Sequence, residues 1–158
     1  MSPAFPEKSE ILRILDANFN RSREGLRVCE EITRFVLEDK NLTADLKKAR
    51  HAVSDCLKVF PVSCVELVAA RNVRGDVGKK PSPLENQRGN FLGLFLANAE
   101  RAKESLRVLE ETSKFIDTKI SGKFKKARFR VYAIEKKALP RLEALRDHGP
   151  RAPKRKAA

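Results

Sequence analysis

The chain repeats itself. Residues Asn18–Phe35 (NFNRSREGLRVCEEITRF) lie without a gap over Asn98–Phe115 (NAERAKESLRVLEETSKF) and are identical at nine of the eighteen positions. A second match, Lys47-Lys48-Ala49-Arg50 with Lys125-Lys126-Ala127-Arg128, follows at an offset two residues shorter. Self-similarity of this kind means that one supersecondary unit occurs twice. The unit reads as a long helix followed by a shorter one, predicted over Glu7–Glu38 and Leu42–Phe60, then again over Gly89–Asp117 and Ser121–Leu145. Asn41, Thr43 and Ser121 offer N-caps for the shorter helices. Pro61 opens a short apolar piece, Val62–Ala70, also expected to be helical. The stretch Arg71–Arg88, with Gly75, Gly78, Pro81 and Pro83, reads as the one long loop. The expected fold is therefore all-α: a helical bundle of two repeated helix pairs with pseudo-twofold symmetry, joined by a basic Gly/Pro loop. Residues 1–147 form a single helical domain in this reading (repeats 11–60 and 91–145, connecting segment 61–88), and 148–158 a disordered basic tail.

Composition narrows the class of protein. Hydrophobic residues make up 41% of the chain and charged residues 35%, a globular balance, and there is no Trp. Cys29, Cys56 and Cys64 are scattered without C-x-x-C spacing, which suits small buried hydrophobes in a reducing compartment. His51 and His148 are the only histidines, too few for a histidine-rich metal centre. The N-terminal residues lack an apolar leader core and no run is long enough to span a membrane, so the expected location is the cytoplasm, with no membrane partner. The formal charge is +13, of which the tail carries Arg151, Lys154, Arg155 and Lys156. The excess left on the folded part suits an anionic ligand.

Polar residues stand where the periodicity asks for apolar ones. In the first helix Ile11, Ile14, Val28, Cys29, Ile32, Phe35 and Val36 share an arc, and in the third Phe91, Leu94, Val108, Leu109, Thr112, Phe115 and Ile116 do the same. Asn18 with Arg21, and Asn98 with Arg101, lie inside these arcs, and Gly25 and Ser105 leave room one turn later. The second and fourth helices carry stripes, Leu46-Ala49-Val53-Cys56-Leu57-Phe60 and Phe124-Ala127-Val131-Ile134-Ala138, with Arg50 and Arg128 at matched edge positions. Buried charge is costly unless paired or liganded. Arg21 and Arg101 either pair with Glu24, Glu31, Glu104 or Glu111 as an interhelix lock, or line a polar cavity on the pseudo-twofold axis that takes phosphate oxygens. The matched arginines and asparagines favour the cavity. Glu24 and Glu104 border the arcs on the arginine side and are the better functional carboxylates. Arg27, Glu30 and Glu31, like Arg107, Glu110 and Glu111, are spaced for ion pairs on a solvated face. The loop Arg71–Lys80 concentrates cations and two glycines, a composition able to cradle an anion. It is not a Walker A loop, which needs Gly at Val73 and Ser or Thr at Lys80.

The pattern Asn-x-x-Arg-x-x-Glu-x-Leu-Arg-Val-x-Glu-Glu, met twice around Arg71-x-x-x-Gly75-Asp76-Val77-Gly78, resembles the small monofunctional hydroxymethylpyrimidine-phosphate kinases of thiamine synthesis. That family occurs as stand-alone proteins and as N-terminal domains fused to thiamine-phosphate synthase, and this chain looks like the stand-alone form. The likeness covers about Ile11–Leu139; where members often carry a hydroxyl residue after the second loop glycine, this chain has Lys79. The resemblance implies an enzyme that transfers the γ-phosphoryl group of ATP to 4-amino-2-methyl-5-(phosphomethyl)pyrimidine. It implies Arg21, Arg101, Arg50 and Arg128 as phosphate clamps, and Arg71, Arg74, Gly75 and Gly78 in a phosphate-binding loop. Glu24, Glu104 and Asp76 would hold Mg²⁺, and Asn18 and Asn98 would read the aminopyrimidine or orient the arginines. No general base is needed, because the acceptor phosphate is largely ionised at neutral pH. Two other classes remain open. One is a non-catalytic module that binds a phosphorylated ligand or forms a homodimer. The other is a basic helical nucleic-acid binder, disfavoured because it predicts an exposed basic stripe while the repeated arginines fall on apolar faces.

Overall fold

The computed structural model describes residues 5–80 and 88–147. It is all-α: α1 (Lys8–Phe35), α2 (Lys40–Val59), α3 (Cys64–Ala69), α4 (Phe91–Ser113) and α5 (Thr118–Asp147). The expected tail, 148–158, and Pro81 and Pro83 of the expected loop lie outside the described residues.

The start of each repeated helix shows why the sequence folds as two matching units. The cap of α2 is Asp39, whose carboxylate accepts from the Asn41 and Leu42 amides at 2.9 Å, not Asn41 or Thr43. At the matching place Asp117 Oδ1 accepts from the Lys119 amide at 2.8 Å, so α5 starts three residues ahead of the expected Ser121 cap. Ser121 is buried instead, donating to the Glu110 carbonyl at 2.7 Å. An aspartate at the N-cap accepts from the free amides of the first turn and its charge complements the positive end of the helix dipole. Ser63 caps α3 through a capping box with Glu66. α5 continues through Pro140, an exposed position.

The four long helices form a closed ring of contacts: α1 packs on α2 and α4, and α5 packs on α2 and α4. α1 and α4 run antiparallel, since Gly25 meets Asn98 and Ala102 while Cys29 meets Phe95 further back. Phe19 sits in the middle, edge-on to Phe60 of α2's end at 5.9 Å and to Phe124 of α5 at 5.6 Å. Each such buried side chain contributes on the order of 1.5–3 kcal/mol. The stripes expected on α2 and α5 are the buried ones, Leu46, Ala49, Val53 and Cys56 with Phe124, Ala127, Val131, Ile134 and Ala138.

The arcs expected on α1 and α4 are displaced in part: Ile11, Cys29, Ile32, Leu109 and Thr112 of them are buried, and the rest are not. The buried face of α1 centres on Leu15, Phe19, Ser22 and Leu26, about a quarter-turn away, and Ile14 and Phe35 are exposed. In α4 the buried apolar residues are Phe95, Ala99, Ala102, Leu106 and Leu109, with Phe91 and Phe115 exposed. The buried residues of α1 and α4 spread over a wide face, so a single arc drawn through the sequence catches one flank of it. Gly25 leaves no room above Arg21: a Cβ there would stand 2.7 Å from the Asn98 carbonyl oxygen. The small residue is what lets the two long helices approach. No described helix is long and apolar enough to cross a membrane.

Candidate functional site

Glu30 and Glu110, expected on a solvated face, are buried at 4% and 5% exposure. Each receives the guanidinium of the matching arginine from the neighbouring helix. Arg50 Nε donates to Glu30 Oε2 at 2.8 Å, and Arg128 Nη2 to Glu110 Oε2 at 2.9 Å. Arg27 and Arg107 approach the same carboxylates from outside at 3.5 and 3.3 Å. The arginines expected to clamp phosphate from α2 and α5 are thus the inner partners of a lock that appears twice. Their charge is answered where they stand: burial works against the Arg128 cation, but Glu110 and Tyr132 outweigh it and hold its pKa above the usual arginine value.

The asparagines are also matched. Asn18 Nδ2 donates to the Ile14 carbonyl at 2.8 Å and Asn98 Nδ2 to the Leu94 carbonyl at 2.9 Å. A carbonyl partner fixes which end of each amide is the donor, so the Oδ1 atoms remain as acceptors.

What is not matched is the surface beside them. A cavity of about 710 Å³ opens between the first half of α1, the loop after α3 and the end of α4. Ile11, Ile14, Ala17 and Phe115 supply an apolar floor, and Arg13, Arg21 and Arg71 line it with cationic side chains. Asn18, Asn72 and the carboxylates of Glu10, Asp16 and Asp76 add polar groups. Asn98 and Arg101 do not line this cavity, so the two halves of the repeat do not converge on one shared site. Arg21 and Arg101 are both exposed, and among the described residues neither makes an ion pair, so neither is part of an interhelix lock. At the repeat's offset Ile11, Ile14 and Phe115 of the floor map onto Phe91, Leu94 and Phe35, and these line a separate groove of about 520 Å³ with Val28, Ile32 and Val36.

The loop is held by its own side chains. Asn72 Oδ1 accepts from the Gly75 amide and Asp76 Oδ1 from the Gly78 amide, both at 2.9 Å. No glycine of the described residues has a positive φ. The two amides expected to face an anion are therefore engaged in turns, and Arg74, Gly75 and Gly78 stay outside the cavity wall. Arg71 does line it. Its guanidinium grips Asp16 of α1 with two hydrogen bonds, Nε to Oδ2 at 2.5 Å and Nη2 to Oδ1 at 2.8 Å. That hydrogen bonding, followed by the charge of Asp16, raises the Arg71 pKa above the usual arginine value.

The carboxylates expected to hold a metal are dispersed. Asp76 lines the cavity, whereas Glu24 and Glu104 are exposed on α1 and α4 outside it. The described residues contain no group of three or more His, Cys, Asp or Glu side chains placed to hold a metal ion. Arg13 and Asp16 were missed by the repeat-based reading because that reading collected what the halves share. The signal was present in the departures: Gly93 stands opposite Arg13, and Leu96 opposite Asp16.

The model described as the ThiD2 family matches residues 13–137. A thiamine-phosphate synthase of Synechocystis sp. is 42% identical over 126 residues, which cover 79% of this chain and 35% of that protein. One of Thermosynechococcus vestitus is 41% identical over 136 residues, 85% of this chain and 37% of that protein. A third, of Nostoc sp., is 43% identical over 126 residues, 79% and 34% of the two chains. The chain thus spans about a third of the length of these relatives. No solved structure matches it significantly. With the family match running from α1 into α5 and through the loop that walls the cavity, the chain belongs to the ThiD2 family.

Proposed function

We propose that the chain is a cytoplasmic kinase of thiamine biosynthesis that transfers the γ-phosphoryl group of ATP to the phosphate of 4-amino-2-methyl-5-(phosphomethyl)pyrimidine. The observation that carries this reading is the cavity of the first half, where Arg13, Arg21 and Arg71 stand around an apolar floor in a chain of the ThiD2 family. An oxygen of the acceptor phosphate attacks the γ-phosphorus, the bond from that phosphorus to the bridging oxygen breaks, and ADP leaves. The acceptor's second pKa is about 6, so it arrives ionised and no side chain has to take a proton. Arginine guanidiniums offer forked donors to phosphate oxygens and neutralise the charge of two phosphates brought together.

The floor of Ile11, Ile14 and Phe115 gives a flat heterocycle an apolar surface. Asn18, with its amide nitrogen spent on the Ile14 carbonyl, presents an oxygen suited to an exocyclic amino group. The dispersed carboxylates suit a Mg²⁺ that arrives on the nucleotide and takes only one or two protein ligands, for which Asp76 and Glu10 stand in the cavity wall beside the Arg71-bound Asp16. When bound, the ion offsets charge on the phosphoryl oxygens.

The test is a coupled assay with ATP and Mg²⁺, comparing the pyrimidine monophosphate with the free alcohol. Turnover of the monophosphate is expected, with the alcohol poorer by about 10²–10⁴ in kcat/KM, since it leaves two or more charged hydrogen bonds unmade at about 1.5–3 kcal/mol each. Equal kcat/KM for the two acceptors, or no turnover of the monophosphate, would overturn the reading.

A further inference from the structure

The Asp16–Arg71 pair is the feature of the cavity that neither the fold nor the phosphate chemistry requires. Asp16 is 8% exposed, so its carboxylate has given up most of its water. Such a group is costly to bury and is commonly replaceable by an apolar side chain without loss of stability. The second half of the molecule has made that choice, with half-buried Leu96 at the matching position of α4. The fold therefore accepts an apolar residue here, and the acid answers to something present in the first half alone. That is the loop. Among the described residues of 71–80, Arg71 alone makes an ion pair, and it makes it with Asp16, 55 residues away.

The geometry is specific as well as long-range. Two parallel N–H···O bonds fix the plane of the guanidinium, which a single contact would leave free to rotate. They take two of its five N–H donors and leave three. Asn20 braces the same carboxylate, its Nδ2 bonding the Asp16 carbonyl at 3.1 Å and reaching Oδ1 at 3.5 Å. The pair also stations Asn72, Val73 and Asp76 as the wall of the cavity facing α1, since among the described residues of 71–80 no other ion pair ties the loop to the helices.

We propose that Asp16 is a positioning residue: it holds Arg71 in a fixed plane at the cavity wall, so that the remaining donors of the guanidinium meet a phosphate group bound there. The assignment of phosphate to this cavity rests on the function proposed above, and the experiment separates the two. Inorganic pyrophosphate is titrated into the wild-type chain, into Asp16→Leu, which installs the residue of the other half, and into Arg71→Ala and the double variant. Thermal unfolding is recorded for each.

Asp16→Leu is expected to match or exceed the wild-type Tm while its pyrophosphate affinity falls about tenfold, the scale of one charged hydrogen bond lost to disorder. In the Arg71→Ala background the same change is expected to alter affinity less than twofold, because Asp16 acts through Arg71, and Asp16→Glu should restore part of the loss. Unchanged pyrophosphate affinity in Asp16→Leu overturns the proposal, as does an equal loss in both backgrounds, or a wild-type chain that does not bind pyrophosphate. A wild-type chain that gives this pattern yet fails to phosphorylate the pyrimidine monophosphate leaves the positioning role standing and removes the proposed reaction instead.

Discussion

The two halves of the molecule agree in their frame and differ in their surface. Each has an aspartate starting its second helix, an asparagine folded back onto the helix carbonyl four residues earlier, and a buried glutamate gripped by the arginine of the next helix. Beside this shared frame the start of α1 has a cavity with three cationic side chains and a loop wall, while the start of α4, at the matching place, has a groove lined by Phe91 and Leu94 with Val28, Ile32 and Phe35 from the end of α1. Where a sequence repeats, the identical positions mark what the fold needs twice. The positions that depart, Arg13 against Gly93 and Asp16 against Leu96, mark what one half does alone.

The sharpest way to break that comparison is to treat the two halves alike. Arg21→Ala removes a cation from the cavity, and it is expected to lower phosphoryl transfer by about 10²–10³, the scale of one preorganised donor. Arg101→Ala changes an exposed residue away from the cavity, and its effect should stay within about 0.5 kcal/mol, or two- to threefold. Steady-state kinetics on the two variants check this directly. Equal losses would mean that both halves carry the chemistry.

The frame, by contrast, should respond symmetrically. Glu30→Ala and Glu110→Ala each leave an arginine facing a position emptied of its partner, at side-chain exposures of 21% for Arg50 and 14% for Arg128. Each is expected to cost on the order of 3 kcal/mol in urea unfolding, and the two values should agree within about 1 kcal/mol. A large cost in one half alone would show that the lock is not shared.

Gly25→Ala comes next in size. The added Cβ meets the Asn98 carbonyl oxygen at 2.7 Å and the Ala102 amide nitrogen at 3.3 Å, and neither backbone atom can move without parting α1 from α4. A loss of about 1–3 kcal/mol is expected, against under about 1 kcal/mol for Ser105→Ala at the matching position, where a Cβ is already accommodated. Denaturant midpoints decide it.

The smallest effect concerns pH. Burial, with the nearby charge of Glu135 second, pushes the Cys29 thiol from 9.0 up to about 12. The folded chain therefore keeps a proton that the unfolded chain gives up, so this contribution to stability is whole below about pH 9 and is lost as pH rises toward 12. At pH 8 a thiol reagent should modify exposed Cys64 and spare Cys29. Mass spectrometry of the native chain checks this.

Much of the frame was legible beforehand and the site was only half so. Repeated helix formers and two apolar stripes were enough to place α2 and α5, because the buried residues of those helices fall in one narrow stripe. In α1 and α4 they spread over a wider face, so the arc through Ile14 and Phe35 led to a flank, and Arg21 read as internal when it is exposed. Glu30 and Glu110 looked like surface partners of Arg27 and Arg107, since spacing along one helix says nothing of an arginine arriving from another. Asn18, Arg21, Arg71 and Asp76 were found, all from motifs, and all line the cavity. Asp16 is the acid in an apolar neighbourhood, and only its contrast with Leu96 distinguishes it.

The central claim is that phosphate groups bind in the cavity of the first half and not in the matching groove of the second. Nuclear magnetic resonance of the labelled chain, titrated with inorganic pyrophosphate and read at both backbone amides and arginine Nε–H groups, tests it most directly. Saturable shifts are predicted at the Arg21 and Arg71 side chains and at the Asn72–Asp76 amides, with Leu94 and Phe35 unmoved. Shifts centred on Arg27, Phe35 and Leu94, with the cavity silent, would contradict it.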